Sequence, residues 1–233
     1  MRILAITDLH ANQRKSEQDP YYTSPTIYFE ELAKRASQAD LVVCAGDISV
    51  FGMELLDVLE AMNSWNKPVM LIHGNHEDPE MLEDVDKHYP NIKFIHGKEQ
   101  QYNGVSVLGW GGGGFNTEDK HFAKFSQKLN PKHNRIMLIH SPPYGTTVDW
   151  MESWQEYRGN HTYREVIERL QPFLVVCGHI HENIGKQDRI GRTLVMNPGP
   201  LGILINLEEV VPKQAPKSVK TSEPSRKGHS KKK

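Results

Sequence analysis

No stretch of this sequence approaches the roughly 20 consecutive apolar residues that a membrane-spanning helix needs, and no basic segment leads into an apolar signal core at its start. A soluble, unexported, cytoplasmic protein with no membrane partner is therefore expected. Cysteine is nearly missing as well. Cys44 and Cys177 are the two cysteines in 233 residues, and each sits in a short apolar run, where a buried, reduced thiol is the usual state. Neither a disulfide nor a thiolate metal site is expected. The P-loop signature is also lacking: Gly111 to Gly114 form a glycine run, but no Lys-Ser/Thr pair follows it. The run reads as a flexible loop. The sequence has no internal repeat.

The formal net charge of -1 conceals an asymmetry. Residues 212–233 hold eight Lys or Arg against Glu223 alone, a balance of +7 that leaves -8 on residues 1–211. The division predicts one globular domain over 1–211 and a solvated, disordered basic tail over 212–233. Solubility is the plain use of such a tail, and attachment to nucleic acid is the alternative. A homo-oligomer is left open.

Short apolar runs recur at Ile3 to Ile6, Leu41 to Ala45, Val69 to Ile72, Val105 to Leu108, Ile136 to Ile139, Phe173 to Cys177, Leu194 to Met196 and Ile203 to Leu207. Most are continuous, which suits strands covered on both faces. Helical patterns lie between them. Ser24-Pro25 and Asp78-Pro79 read as helix starts. Leu55, Leu56, Leu59 and Met62 form an apolar stripe, and Thr162-x-x-Glu165 reads as a capping box ahead of Val166, Ile167 and Leu170. The pattern is that of a layered α/β protein with a mixed sheet, or with two sheets packed between helices.

Five polar motifs stand at the ends of these runs: Asp8-x-His10, Gly46-Asp47, Gly74-Asn75-His76, His140 and Gly178-His179-x-His181. Each alone says little, since Gly-Asp is a common turn and a single histidine is often a satisfied core residue. Together, and in this order, they supply carboxylate, imidazole and amide donors of the kind that hold hard-to-borderline divalent metals. Residues two apart along a strand project to one side, so Asp8 and His10 are expected to grip one ion. Ligand sites in open α/β sheets lie beyond the carboxyl ends of the strands, which predicts convergence of the five motifs on one rim.

The set resembles the calcineurin-like metallophosphoesterase family, whose motifs run D-x-H, G-D, G-N-H followed by D or E, H, and G-H-x-H. Here they stand as Asp8-Leu9-His10, Gly46-Asp47, Gly74-Asn75-His76-Glu77, His140 and Gly178-His179-Ile180-His181. The resemblance implies a four-layer αββα sandwich of two mixed sheets flanked by helices, with two metal ions at its rim. It implies Asp8, His10, Asp47 and His181 around one ion, and Asp47, Asn75, His140 and His179 around the other. Asp47 would then be shared, and His76 would face the substrate without ligating. Ala11 stands where many relatives have glycine, and residues 11–25 form a longer polar connection than compact members use.

These residues predict hydrolysis of a small phosphate ester, most directly a phosphodiester, with a monoester also in range. Two carboxylates bring about -2 and two divalent ions about +4, so the rim attracts phosphate despite the acidic body. A hydroxide shared by the ions is the expected nucleophile, and His76 the expected general acid or phosphate-contacting donor. Oxygen, imidazole and amide donors suit Mn, Fe, Co, Ni and Zn alike. The alternatives are a metal-dependent nuclease and a non-catalytic scaffold of the same fold. Tyr21, Tyr22, Tyr144, Trp150, Trp154 and Tyr157 are candidate aromatic walls.

Overall fold

The computed structural model describes residues 1–11, 25–131 and 133–210, apart from the side chains of 25–28. Its first half runs β1 (Arg2–Ile6), α1 (Pro25–Ser37), β2 (Leu41–Cys44), α2 (Leu55–Ser64), β3 (Val69–Leu71), α3 (Val85–His88) and β4 (Ile92–Phe94). There follow β5 (Lys98–Tyr102), β6 (Val105–Trp110), α4 (Lys120–Ser126), β7 (Arg135–Ile139), a short hairpin of β8 (Trp150–Met151) and β9 (Glu156–Tyr157), and α5 (His161–Leu170). The chain closes with β10 (Leu174–Val176), β11 (Gln187–Ile190), β12 (Thr193–Met196), β13 (Ile203–Asn206) and α6 (Leu207–Val210).

Two mixed sheets result. One has the order β13-β1-β2-β3-β4, parallel except for β13. The other has the order β11-β12-β10-β7-β6-β5, parallel in the middle and antiparallel at both ends. Strand alternation then divides the apolar runs among three cores. In β1, Ile3 and Ala5 join the core between the sheets, with Val107, Ile136 and Val176, while Leu4 and Ile6 pack with Leu32 of α1 and Leu59 of α2. In β7, Ile136 and Leu138 face inward, and Met137 and Ile139 pack outward against Phe122 of α4 and Ile167 of α5. Three cores between four layers make the αββα sandwich. Cys44 and Cys177 are free and buried, as their apolar runs require.

Several local readings need correction. The cap of α5 is Asn160, whose side chain accepts the Tyr163 amide. Thr162 points elsewhere and accepts the Asp119 amide through its hydroxyl. On α2 the buried stripe is Leu55, Val58, Leu59 and Met62. Leu56 is 69% exposed, because it lies off the i, i+3, i+4, i+7 face. Asp78-Pro79 opens only a 3-10 turn at Pro79–Met81. Strands β5 and β11 were not legible at all, since edge strands with half-exposed faces carry no apolar run. α1 does begin at Pro25, whereas Ser24, most of the 11–25 connection, Tyr21, Tyr22 and the basic tail lie outside the described residues. Among the described residues no helix is long and apolar enough to cross a membrane.

Register sets the rim. Ile6 pairs with Cys44 and Cys44 with Leu71 in one sheet, and Leu138 pairs with Val176 in the other, so the carboxyl ends of these strands are level. Every motif follows one of those ends.

Candidate metal centre

Asp8, His10, Asp47 and His140 form the buried floor of one cluster. Asn75, His76, His179 and His181 form its more open side. His10 Nε2 lies 3.1 Å from His181 Nε2, and Asp8 Oδ1 lies 3.7 Å from His181 Nε2 and 3.9 Å from His10 Nε2. Beside this group, His140 Nε2 is 3.0 Å from Asn75 Oδ1 and 3.2 Å from Asp47 Oδ2. The same Asp47 oxygen is 3.7 Å from His10 Nε2 and 4.0 Å from His76 Nε2. The His179 ring stands edge-on to that of His140, with centroids 5.4 Å apart.

The backbone reaches this arrangement by leaving the strand conformation. Asp8, His10, Asp47 and His179 all have positive φ, at 55°, 40°, 52° and 70°. This left-handed region costs a residue with a Cβ energy, though Asp and His tolerate it better than most. Strand alternation therefore does not explain how Asp8 and His10 come to face one side. Tight turns do so, and they also send His179 and His181 to different neighbours, His140 and His10 respectively. All three motif glycines are required by close approach: a Cβ on Gly46 would strike the backbone of His73 and Gly74. A Cβ on Gly74 would strike the Asp47 carboxylate, and one on Gly178 would strike Asp8 and the Thr7 hydroxyl.

Hydrogen bonds aim the donors. Asp8 accepts the His179 amide at 3.1 Å, Asp47 Oδ1 accepts the His76 amide at 2.9 Å, and His140 Nδ1 donates to the Ala45 carbonyl at 2.8 Å. Burial holds His10 and His179 neutral, lowering each pKa to about 4. Burial also opposes charge on Asp8, but the hydrogen bond and charge of His181 and the charge of His140 keep its carboxyl below the usual range. At His140 burial is outweighed by the Asp47 carboxylate, which pushes the imidazole up to about 9.

These residues fit a divalent ion on their own chemistry. With Nδ1–H committed to Ala45, His140 presents Nε2 to two oxygens, and a divalent cation in place of the proton there would draw on all three atoms. Two imidazole nitrogens meet in the same way at His10 and His181. His179 Nε2 is buried without a hydrogen-bond partner among the described residues. Asp8, His10 and His181, and likewise Asp8, Asp47 and His140, each place one donor atom within 4.8 Å of the others. His76 also falls in such a group, with His10 and Asp47.

The calcineurin-like phosphoesterase sequence model matches residues 1–183, a stretch that contains all five motifs. The chain belongs to that family. It is a metal-dependent phosphoesterase, and the family is dimetal-dependent. The chain is 28% identical over 210 residues to an uncharacterized protein of Methanocaldococcus jannaschii, covering 86% of this chain and 88% of that one. It is 23% identical over 201 residues to a 3',5'-cyclic adenosine monophosphate phosphodiesterase of Haemophilus influenzae, covering 80% and 72%. A crystal structure from Thermus thermophilus shares the fold, with a TM-score of 0.68, 18% identity and coverage of 90% and 96%.

One residue of this calcineurin-like site had no role assigned from sequence. Glu77 is buried and accepts from the amides of Asp47 (3.1 Å), Ser49 (2.8 Å) and Gly74 (2.9 Å) and from the Ser49 hydroxyl (3.1 Å). It ties the Gly46-Asp47 turn to the Gly74-Asn75-His76 turn. The acidic fourth position of the G-N-H-E motif was the available signal.

Proposed function

We propose that the chain is a phosphodiesterase in which Asp8, His10, Asp47 and His181 hold one divalent ion and Asp47, Asn75, His140 and His179 hold a second. The observation that carries this reading is the position of Asp47 Oδ2, 3.7 Å from His10 Nε2 and 3.2 Å from His140 Nε2, where one carboxylate oxygen serves both groups. Diester preference draws support from the named activity of the Haemophilus influenzae relative. When bound, divalent ions lower the pKa of water and neutralise charge on phosphoryl oxygens.

The chain's own residues prepare that chemistry. His10 and His179, neutral through burial, offer lone pairs without first shedding a proton. Asn75 offers an uncharged oxygen, so the rim keeps its attraction for an anionic ester. His76 stands at the open side, 26% exposed, with its ring edge-on to His10 at 4.9 Å and against Phe51 at 4.9 Å. From there its Nε2 gives a proton to the departing oxygen or a hydrogen bond to the phosphoryl group.

The deciding experiment is metal analysis together with activity on paired monoester and diester panels, including cyclic nucleotides. The expected result is two ions per chain and diester turnover that chelation removes and added metal restores. Turnover confined to monoesters overturns the diester reading. No turnover with Mn, Fe, Co, Ni or Zn overturns the whole.

A further inference from the structure

Two exposed phenyl rings flank the donor cluster, and their surroundings differ. Phe51, 71% exposed, leans on His76. Phe115, 43% exposed, stands edge-on to His179 with centroids 4.4 Å apart. Next to Phe115 lies Trp154, 51% exposed, at 5.7 Å. The Arg158 guanidinium carbon sits 4.4 Å from the Trp154 ring centre and 5.6 Å from that of Phe115. Arg158 Nη1 pairs with Glu156, while its Nε is buried without a hydrogen-bond partner among the described residues. Two exposed aromatic rings, with a cation over Trp154, thus extend the site outward from His179.

This surface is built in fixed relation to the proposed ligands. Trp154 sits in the turn between β8 and β9. That hairpin is held by Asn183, two residues after His181, whose side-chain amide donates to the carbonyls of Val148 at 2.8 Å and Trp150 at 2.9 Å. The Glu152 amide adds a bond to the Glu182 carboxylate at 2.9 Å. On the other side, Ser141, adjacent to His140, donates through its hydroxyl to the Gly114 carbonyl at 2.6 Å and so fixes the loop that carries Phe115. Exposed aromatic rings held in this frame beside the proposed phosphate-binding centre suit stacking of a flat ring, and the Arg158 guanidinium over Trp154 adds a planar cation to the same stack.

We propose that Phe115, Trp154 and Arg158 form the specificity wall of the centre and hold a planar aromatic substituent of the ester, a nucleobase in the simplest case, by stacking. The proposal rests on the phosphodiesterase reading. It assigns the His179 side of the site to the retained group and leaves the His76 side to the departing one.

The test compares two esters that share a leaving group and a scissile bond: thymidine 5'-(p-nitrophenyl phosphate) and methyl p-nitrophenyl phosphate. With manganese-loaded full-length protein, KM for the thymidine ester is expected to be about 10-fold the lower, within what stacking of one base yields. Trp154→Ala and Phe115→Ala should each bring the ratio of the two KM values toward one, while Trp154→Phe retains it. Equal KM values in the unaltered protein, or a ratio untouched by both alanine variants, overturns the wall. Hydrolysis of neither ester instead defeats the phosphodiesterase reading. Calorimetry with adenosine 5'-monophosphate and ribose 5-phosphate then decides the wall separately: tighter nucleotide binding that Trp154→Ala abolishes supports it, and equal binding overturns it.

Discussion

Glu77 shows how one side chain holds two turns of the candidate site together. Its carboxylate satisfies three backbone amides and a hydroxyl in a buried place. Glu77→Ala leaves those donors unpaired, each at about 1–3 kcal/mol, so chemical denaturation should record a loss of about 3 kcal/mol or more. His76 is a different case, because it stands at the open side of the cluster yet within reach of the donor atoms. As a substrate-facing donor, His76→Ala should lower kcat by about 10²- to 10⁴-fold and leave metal content at two ions per chain. A fall in metal content would make His76 a ligand. The motifs themselves were readable residue by residue, since Asp, His and Asn after apolar runs announce ligand chemistry. Their pairing came only as an implication of the family resemblance, because positive φ at Asp8, His10, Asp47 and His179 decides which atoms meet.

At the level of elements, α5 and β7 carry the predictions. Asn160 caps α5 through its side-chain oxygen and ties the helix to the 111–117 loop by donating to the Asn116 carbonyl at 2.8 Å. Asn160→Ala should cost about 1 kcal/mol for the cap alone, read as a lowered denaturation midpoint. The capping box at Thr162 was a plausible sequence signal that lost to a neighbour two residues earlier. At the start of β7, the wholly buried Arg135 pairs with Glu99 of the edge strand β5 at 2.7 Å. Burial works against the Glu99 carboxylate, but hydrogen bonds from Arg135 and Ser106 prevail and hold its carboxyl below the usual range. Its stabilisation is therefore full above the ordinary glutamate pKa, about 4.3, and is lost as pH falls through the lower folded value. The stability difference between the unaltered protein and Glu99→Gln should shrink over that acidic range in titrated denaturation curves. A constant difference would show that the pair contributes nothing that titrates.

For the molecule as a whole, donors from both sheets gather at one rim, so ion binding bears on the native state and not on the unfolded chain. Free metal at about 100 times its Kd stabilises a protein by about 2.7 kcal/mol. For a domain of this size that is about 5–10 °C in Tm. Chelation should lower the melting temperature by that amount, and readdition of manganese should restore it. An unchanged melting curve would mean that the rim holds no ion.

The inner strands were legible because a strand covered on both faces must be apolar throughout, and the runs from Ile3 to Leu207 obey that rule, whereas their division into two sheets was implied by the family resemblance. The donor types were legible because chemistry fixes which side chains bind divalent ions. Tertiary structure alone decided that Glu77 links two turns and that Phe115 meets Trp154 and Arg158, and it supplied the geometry by which His179 joins His140 while His181 joins His10, a division the family resemblance had implied. These partners are far apart along the chain and share no local pattern. Their meeting depends on strand register, turn geometry and close backbone approach, which a linear sequence does not display.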